Sequence, residues 1–253
     1  MKLTGKTVLI TGASSGLGRA LAVALAARGN TIVATARRAD RLAALREEIT
    51  RAGGRCVDLP GDAADPADVT RVLDETRRAV GPIDVAVLNA GGGRPLRMVE
   101  ATAADVLAVM RMNYDTFANY LLPLLQEMRG RGGVIAYTGS PAGYFGLPLS
   151  GPYSAAKAAG RTLLDACRLE LVGSPLKLVA MYPGFTRTEG LDPDAVPVPA
   201  LLIECDRAVR EMIRAMESER EHAMFPRRIW ALMTLARALP EPVRRRVLAR
   251  FAV

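Results

Sequence analysis

The sequence predicts an α/β domain of three layers: a doubly wound parallel sheet with helices packed on both faces. Two observations carry this expectation. Short β-branched apolar runs alternate with longer stretches of helical period along most of the chain, the order that builds right-handed strand–helix–strand crossovers. Several central runs, Val8-Leu9-Ile10 and Val85-Ala86-Val87-Leu88 among them, are apolar without alternation, as a strand covered on both faces requires. A chain of 253 residues, half of them hydrophobic, suffices for one such domain with a sizeable core.

Taken in order, strands are expected at Thr7–Thr11, Thr31–Thr35, Arg55–Leu59, Ile83–Leu88, Val134–Thr138 and Leu176–Tyr182, with a weaker one at His222–Phe225. Helices are expected at Leu17–Arg28, Ala39–Arg51, Pro66–Ala79, Thr102–Met128 and Tyr153–Leu171. The stops are legible: Gly29, Gly53-Gly54 and Gly81-Pro82 follow the first three helices. No repeat or linker divides the chain. Residues 1–225 read as the main α/β unit, and residues 226–253 as a basic, apolar helical extension of the same single domain.

Charge and cysteine content exclude several classes. The net charge is +8, but residues 227–253 hold seven arginines against one glutamate and so account for six of those charges. A basic tail, not a basic groove, explains the balance, and no nucleic acid partner is expected. Cys56, Cys167 and Cys205 lie far apart, so neither a disulfide framework nor a zinc site is indicated, and a cytoplasmic location fits. The opening Met1-Lys2-Leu3-Thr4-Gly5-Lys6 lacks the apolar core of a signal peptide. The single histidine, His222, makes a Ser-His-Asp hydrolase implausible, and Gly139-Ser140-Pro141 lacks the glycine that a nucleophile elbow needs two residues before its serine.

The segment Thr11-Gly12-Ala13-Ser14-Ser15-Gly16-Leu17-Gly18 joins the first strand to the first helix. Glycines there permit a tight turn and let backbone N–H groups approach a pyrophosphate with no Cβ in the way. The helix N-terminus adds its dipole and free amides. A nucleotide site is therefore the expected use of this turn, against the plainer alternative of a structural strand–helix connection.

The spacing G-x-x-x-G-x-G after a threonine resembles the glycine motif of short-chain dehydrogenases/reductases, and that family's further landmarks follow in order. Leu88-Asn89-Ala90-Gly91 stands where the family has N-N-A-G, Leu88 replacing the first asparagine. Asn113 and Ser140 come next, then Tyr153 and Lys157 as Y-x-x-x-K. Pro183-Gly184-Phe185-Thr186-Arg187-Thr188 resembles P-G-x-V-x-T, with Thr186 in place of the usual valine or isoleucine. The resemblance covers residues 4 to 190 or so and implies a Rossmann-type fold.

The resemblance implies a nicotinamide cofactor held by Gly12, Ser14, Ser15, Gly16, Leu17, Gly18, Asp62, Ala63, Asn89, Ala90, Gly91, Pro183, Gly184, Thr186 and Thr188, with Tyr153 and Lys157 also lining it. NAD-selective relatives place a carboxylate at the end of the second strand. Here Ala36 is followed by Arg37, whose guanidinium fork suits a 2′-phosphate, with Arg38 next to it, so NADP(H) is the expected cofactor and Arg37 the residue expected to select it. Many NADP-binding relatives also carry a basic residue where Ser15 stands. The resemblance further implies that Tyr153 exchanges a proton with the substrate oxygen and that Lys157 tunes it and bonds the nicotinamide ribose. By the same token Ser140 bonds the substrate oxygen and Asn113 supports a water relay. Tyr153 and Lys157 stand four apart and share one helix face.

The expected function is thus NADP(H)-dependent hydride transfer between a nicotinamide and a ketone, aldehyde or secondary alcohol. The alternative is a catalytically silent NADP-binding regulator or scaffold on the same fold. Tyr144, Phe145, Leu147, Leu149, Phe185, Leu191, Leu201 and Leu202 suggest an apolar substrate. Relatives pair through the long helices, which makes a homodimer or homotetramer the expectation, with Ala155, Ala156, Ala158, Ala159 and Gly160 allowing close approach. For the tail, packing against the same domain or a partner subunit is preferred to peripheral contact with an anionic membrane.

Overall fold

The computed structural model describes residues 1–93, 95–191, 196 and 201–249. Nine strands and nine α-helices occur among them: β1 (Thr7–Thr11), α1 (Gly16–Ala26), β2 (Thr31–Ala36), α2 (Ala39–Arg51), β3 (Arg55–Pro60), α3 (Pro66–Val80), β4 (Val85–Leu88), α4 (Ala103–Met110), α5 (Thr116–Met128), β5 (Gly133–Thr138), α6 (Gly151–Glu170), β6 (Leu176–Pro183), β7 (Thr186–Arg187), β8 (Ile203–Glu204), α7 (Cys205–Glu217), β9 (His222–Phe225), α8 (Arg227–Ala238) and α9 (Glu241–Ala249). Seven strands form one sheet in the order β3-β2-β1-β4-β5-β6-β9, every neighbour parallel. β7 and β8 make a separate two-residue ladder.

The chain lays down β1, winds outward to β3, then crosses back to place β4 on the other side of β1. That reversal opens a crevice at the carboxyl ends of β1 and β4, where open α/β sheets bind ligands. Because side chains alternate along a strand, β1 serves both faces of the sheet. Val8 and Ile10 join the core under α1, α2 and α7, whereas Leu9 joins the core under α3, α5 and α6. All three are fully buried.

Local chemistry explains the boundaries of two helices. The Asp65 carboxylate accepts from the Ala67 N–H, Pro66 opens the first turn, and Gly81 at φ 81° closes α3. Thr102 and Asp105 form a capping box at α4.

Three expectations change. The fourth strand begins at Val85, two residues after Ile83. The single helix expected over Thr102–Met128 is broken by a π-helical turn at Arg111–Asp115, so that α4 and α5 flank Asn113. Helix α7 was not anticipated; its Ala208, Val209, Met212, Ile213 and Met216 pack under the sheet. His222–Phe225 is a parallel edge strand beside β6. There Tyr182 Oη and His222 Nδ1 lie 2.9 Å apart, and Arg168 and Asp165 flank the other ring nitrogen. His222 thus sits in a polar network at the sheet edge, as a structural residue does.

Candidate active site

The expected cofactor and catalytic residues lie in the segments after β1 to β6, at the start of α1, in the π-helical turn and in the first two turns of α6. The glycine turn comes first. Gly12 and Gly16 have φ of 68° and 54°, left-handed values that disfavour a side chain. A Cβ on Gly12 would stand 2.9 Å from the Ala90 Cα, and one on Gly18 would run into the Gly12 carbonyl. The turn therefore lies directly on the segment after β4. Thr11 fastens the two: its hydroxyl accepts from the Asn89 N–H at 2.9 Å and the Ala90 N–H at 3.0 Å, and the Asn89 amide donates to the Thr11 carbonyl at 3.2 Å. Thr11 belongs to the motif but was absent from the expected site residues.

Helix α1 begins without side-chain help. Its N-cap, Ser15, makes no capping bond, and no acidic residue occupies the first turn. Its leading N–H groups and dipole are left to an anion. Arg38 lies across this opening, donating from Nη2 to Ser14 Oγ at 2.8 Å and to Ser15 Oγ at 2.7 Å. Arg37 is exposed and makes no hydrogen bond or ion pair among the described residues. Of the two expected arginines, Arg38 is the one seated over the loop, and it brings a cation to Ser15. Thr188 approaches from the far side, with its Cβ 3.6 Å from where a Gly16 Cβ would stand, and the neighbouring Glu189 pairs with Arg41 at 2.7 Å. Leu17 follows in the first turn of α1.

Asp62 and Ala63, after β3, are held by both backbone and side-chain contacts. The Asp62 carboxylate accepts from the Ala64 N–H at 3.0 Å, and the Asp62 N–H donates to Asp68 at 2.8 Å. Asn119 on α5 donates to the Ala63 carbonyl at 3.1 Å; nothing in the motif pattern pointed to it. These features fit a dinucleotide: a glycine cradle that side chains would fill, an open helix N-terminus, and a cation beside it.

The second cluster lies beyond Gly91. Asn113 is fully buried in the π-helical turn, a local irregularity common at functional sites. Its amide donates to the Gly92 carbonyl at 2.6 Å and the Val109 carbonyl at 3.0 Å, while its Oδ1 accepts from the Gly92 N–H at 3.1 Å. Asn113 therefore clamps the loop after β4. A Cβ on Gly91 would meet Asn113 Oδ1 at 2.7 Å and Lys157 Nζ at 3.2 Å, so these two side chains flank that glycine closely.

Lys157 is 4 % exposed and donates to the Thr138 carbonyl at 3.0 Å. Burial pushes its ammonium down to about 8. Its Nζ lies 5.6 Å from the centre of the Tyr153 ring and 5.4 Å from that of Tyr137. Burial raises the Tyr153 phenol above its ordinary value, and the hydrogen bond to Ser140 pulls it partly back. Ser140 follows β5 and accepts from the Ala142 N–H at 3.2 Å, opening a short 3₁₀ helix at Pro141–Tyr144. Ser140, Tyr153, Lys157 and Asn113 thus form one group, although 113 and 157 are far apart in the chain.

Pro183 ends β6, and the Gly184 N–H donates to the Phe225 carbonyl at 2.9 Å. A Cβ on Gly184 would overlap Ile229 of α8, so the tail is docked on this turn. Thr186 is buried, and its hydroxyl donates to the Gly184 carbonyl at 3.0 Å. Of the residues expected to line a substrate pocket, Tyr144, Phe145 and Leu147 share one cleft. The stretches 192–195 and 197–200, inside the expected lining segment Phe185–Leu202, lie outside the described residues.

Of the small residues on α6, Ala156 and Gly160 are buried inside the chain, Gly160 against Tyr137, while Ala155 is exposed. Two of the five therefore face the sheet and are not free for a partner. The exposed apolar residues on the long helices are instead Leu107, Met112, Leu122 and Leu169. Among the described residues no group of His, Cys, Asp or Glu is arranged to hold a metal ion, and no helix is long and apolar enough to cross a membrane.

Comparison with known proteins agrees with this fold. The family model described as short chain dehydrogenase matches residues 6–195. An uncharacterized oxidoreductase of Myxococcus xanthus is 33% identical over 248 residues, 96% of each chain. An A-factor type gamma-butyrolactone 1′-reductase of Streptomyces virginiae is 34% identical over 192 residues, 74% of each. A short-chain dehydrogenase/reductase from Burkholderia phymatum, solved in complex with NAD, superposes with a TM-score of 0.84 over 94% of both chains at 24% identity. An alcohol dehydrogenase from Thermococcus sibiricus, complexed with 5-hydroxy-NADP, gives a TM-score of 0.78 at 24% identity, covering 87% of this chain and 95% of that one. The chain belongs to the short-chain dehydrogenase/reductase family, whose members are oxidoreductases that bind a nicotinamide cofactor.

Proposed function

We propose that the chain is an NADP(H)-dependent oxidoreductase of the cytoplasm that reduces a ketone or aldehyde, or oxidises the matching secondary alcohol. The observation that carries this reading is the grouping of Asn113, Ser140, Tyr153 and Lys157 beside the glycine cradle. The cofactor, when bound, supplies or accepts the hydride. Gly12 to Gly18 and the open end of α1 would hold its pyrophosphate. Arg38, steadied by Ser14 and Ser15 and aided by Arg37, would take the 2′-phosphate. Asp62 and Ala63 would meet the adenine, Asn89 to Gly91 the central portion, and Pro183, Gly184, Thr186 and Thr188 the nicotinamide end.

The chain's own residues then do three things. Ser140 donates to the substrate oxygen and fixes its position. Tyr153, kept protonated by burial, gives that oxygen its proton, so reduction is the direction its resting state serves. The phenolate left behind is stabilised by the Lys157 ammonium, which at a pKa of about 8 remains mostly charged at neutral pH. Asn113 keeps the Gly91–Gly93 backbone against Lys157 and supports proton return through water.

Residues 1–225 are read as the cofactor-binding catalytic unit and 226–253 as its C-terminal extension. A homodimer or homotetramer through the long helices accounts for the exposed Leu107, Leu122 and Leu169. The test is a carbonyl-reduction screen followed by NADPH and NADH absorbance. Turnover of at least one ketone or aldehyde, faster with NADPH, is expected. Cofactor binding with no turnover across the screen would favour the silent regulator.

A further inference from the structure

The tail forms one wall of a cleft of about 690 Å³, whose other wall is the loop at residues 144–148, a volume in the range of small-molecule sites. Arg237, Arg244 and Arg245 line the tail side with one carboxylate, Glu241, which is taken by an ion pair with Arg244. Arg237 and Arg245 have no carboxylate partner among the described residues. Arg237 instead lies 5.8 Å from the centre of the Tyr144 ring; Arg161, 4.9 Å from that ring, is paired with Asp165 at 3.5 Å. Unpaired guanidinium groups along one wall of a ligand-sized space make it favourable for an anion.

The rest of the lining is apolar, with Leu147 on the loop and Leu248 on α9. The loop is also tied to the reacting group. Tyr144 ends the 3₁₀ helix that begins after Ser140, and four residues of such a helix advance about 8 Å. The Leu147 N–H donates to Ser154 Oγ, next to Tyr153, at 3.4 Å. At its other end the tail is docked through Ile229 onto the Gly184 turn. The tail therefore reaches from the turn after β6 to the loop after β5.

From these observations we infer that the cleft holds the anionic end of the substrate, a carboxylate or phosphate carried on an apolar stem at a distance from the reacting carbonyl. The guanidinium forks of Arg237 and Arg245 grip two oxygens of such a group, and Leu147 and Leu248 cover the stem. The substrate class is an amphipathic anionic carbonyl compound, not a wholly apolar one. This inference rests on the oxidoreductase reading, but its binding test does not.

Calorimetric titration of the full chain with decyl phosphate, decanoate and decanol measures the charge preference without turnover. The wild type is expected to bind at least one of the two anions about tenfold or more tightly than decanol, the scale of one charge-assisted contact. Arg237→Gln/Arg245→Gln should lose that preference, and Arg237→Lys/Arg245→Lys should keep part of it, with circular dichroism checking the fold of each. Which anion leads separates phosphate from carboxylate. Equal binding of all three probes by wild type, or a preference that survives the Gln variant, overturns the inference. Turnover supplies a separate arm: a long-chain keto acid with its carbonyl far from the carboxylate, and its methyl ester, are assayed with NADPH. A kcat/KM ratio of acid to ester that falls in the Gln variant supports the assignment to substrate. A ratio that does not move overturns it. If neither compound nor any other carbonyl is reduced while the binding preference holds, the oxidoreductase reading fails and the anion site stands.

Discussion

Lys157→Met should stabilise the cofactor-free protein. The side chain is 4 % exposed, and burial holds its ammonium at about 8 instead of the ordinary 10.5. For a base whose folded pKa is depressed, the cost to folding is fully present below the folded value and disappears above the unfolded one. The window is therefore pH 8 to 10.5, and the cost at neutral pH is about 3 kcal/mol. Methionine fills a similar volume but leaves the Thr138 carbonyl without its 3.0 Å donor, which takes back about 1 kcal/mol. The net gain of about 2 kcal/mol corresponds to a melting temperature about 4–8 °C higher at pH 7. Thermal unfolding of both proteins across pH 7 to about 11, above the ordinary lysine pKa, checks this. The advantage should shrink through the window and reverse above it. A variant that melts below wild type at pH 7, by a margin that does not change with pH, would refute the reasoning. The result matters because it separates a lysine kept for its chemistry from one kept for stability.

Further perturbations test other parts of the account. Arg38→Ala should weaken NADPH binding by about tenfold or more, the loss of one charge-assisted fork, and leave NADH nearly unaffected; equal losses for both cofactors would remove Arg38 from phosphate recognition. Thr11→Val removes the acceptor of two backbone N–H groups and should lower stability by about 2–3 kcal/mol, read as a lower denaturation midpoint with an unchanged slope. In sedimentation equilibrium the protein should run at a multiple of 27.0 kDa; a clean single-chain mass at micromolar concentration would exclude the oligomer.

Much of the fold was legible because its causes are local. β1, β2 and β5 announce themselves as apolar runs, and the ends of α1, α2 and α3 are set by glycines. The π-helical turn at Arg111–Asp115 has no such signature: its Asn113 bonds the Gly92 backbone, twenty-one residues away, a contact no local pattern reveals. Helix α7 was legible in principle. Ala208, Val209, Met212, Ile213 and Met216 repeat at helical spacing, a pattern the strand–helix scheme passes over between the sixth strand and His222.

The site divides along the same line. Motif order located the cluster around Tyr153 and Lys157, whereas the choice between Arg37 and Arg38 depends on where the Ser14 and Ser15 hydroxyls stand in space. The tail was read as packing on the same domain or a partner. Ile229 is the buried member of α8 and does dock on the domain, but Trp230, Leu232 and Leu235 remain more than half exposed. Its Arg237 reaches the Tyr144 ring across more than ninety residues of chain, a distance that no periodicity spans.

The central claim is that Tyr153 delivers the proton. Tyr153→Phe removes one oxygen atom and leaves the ring, the cradle and Lys157 in place. The decisive measurement pairs the dissociation constant for NADPH with single-turnover reduction of a carbonyl compound accepted by wild type. The account predicts NADPH affinity within about twofold of wild type and a chemical step slower by at least about 10²-fold, the low end for a positioned acid. A variant that binds NADPH and reduces the compound at near wild-type rate would contradict it.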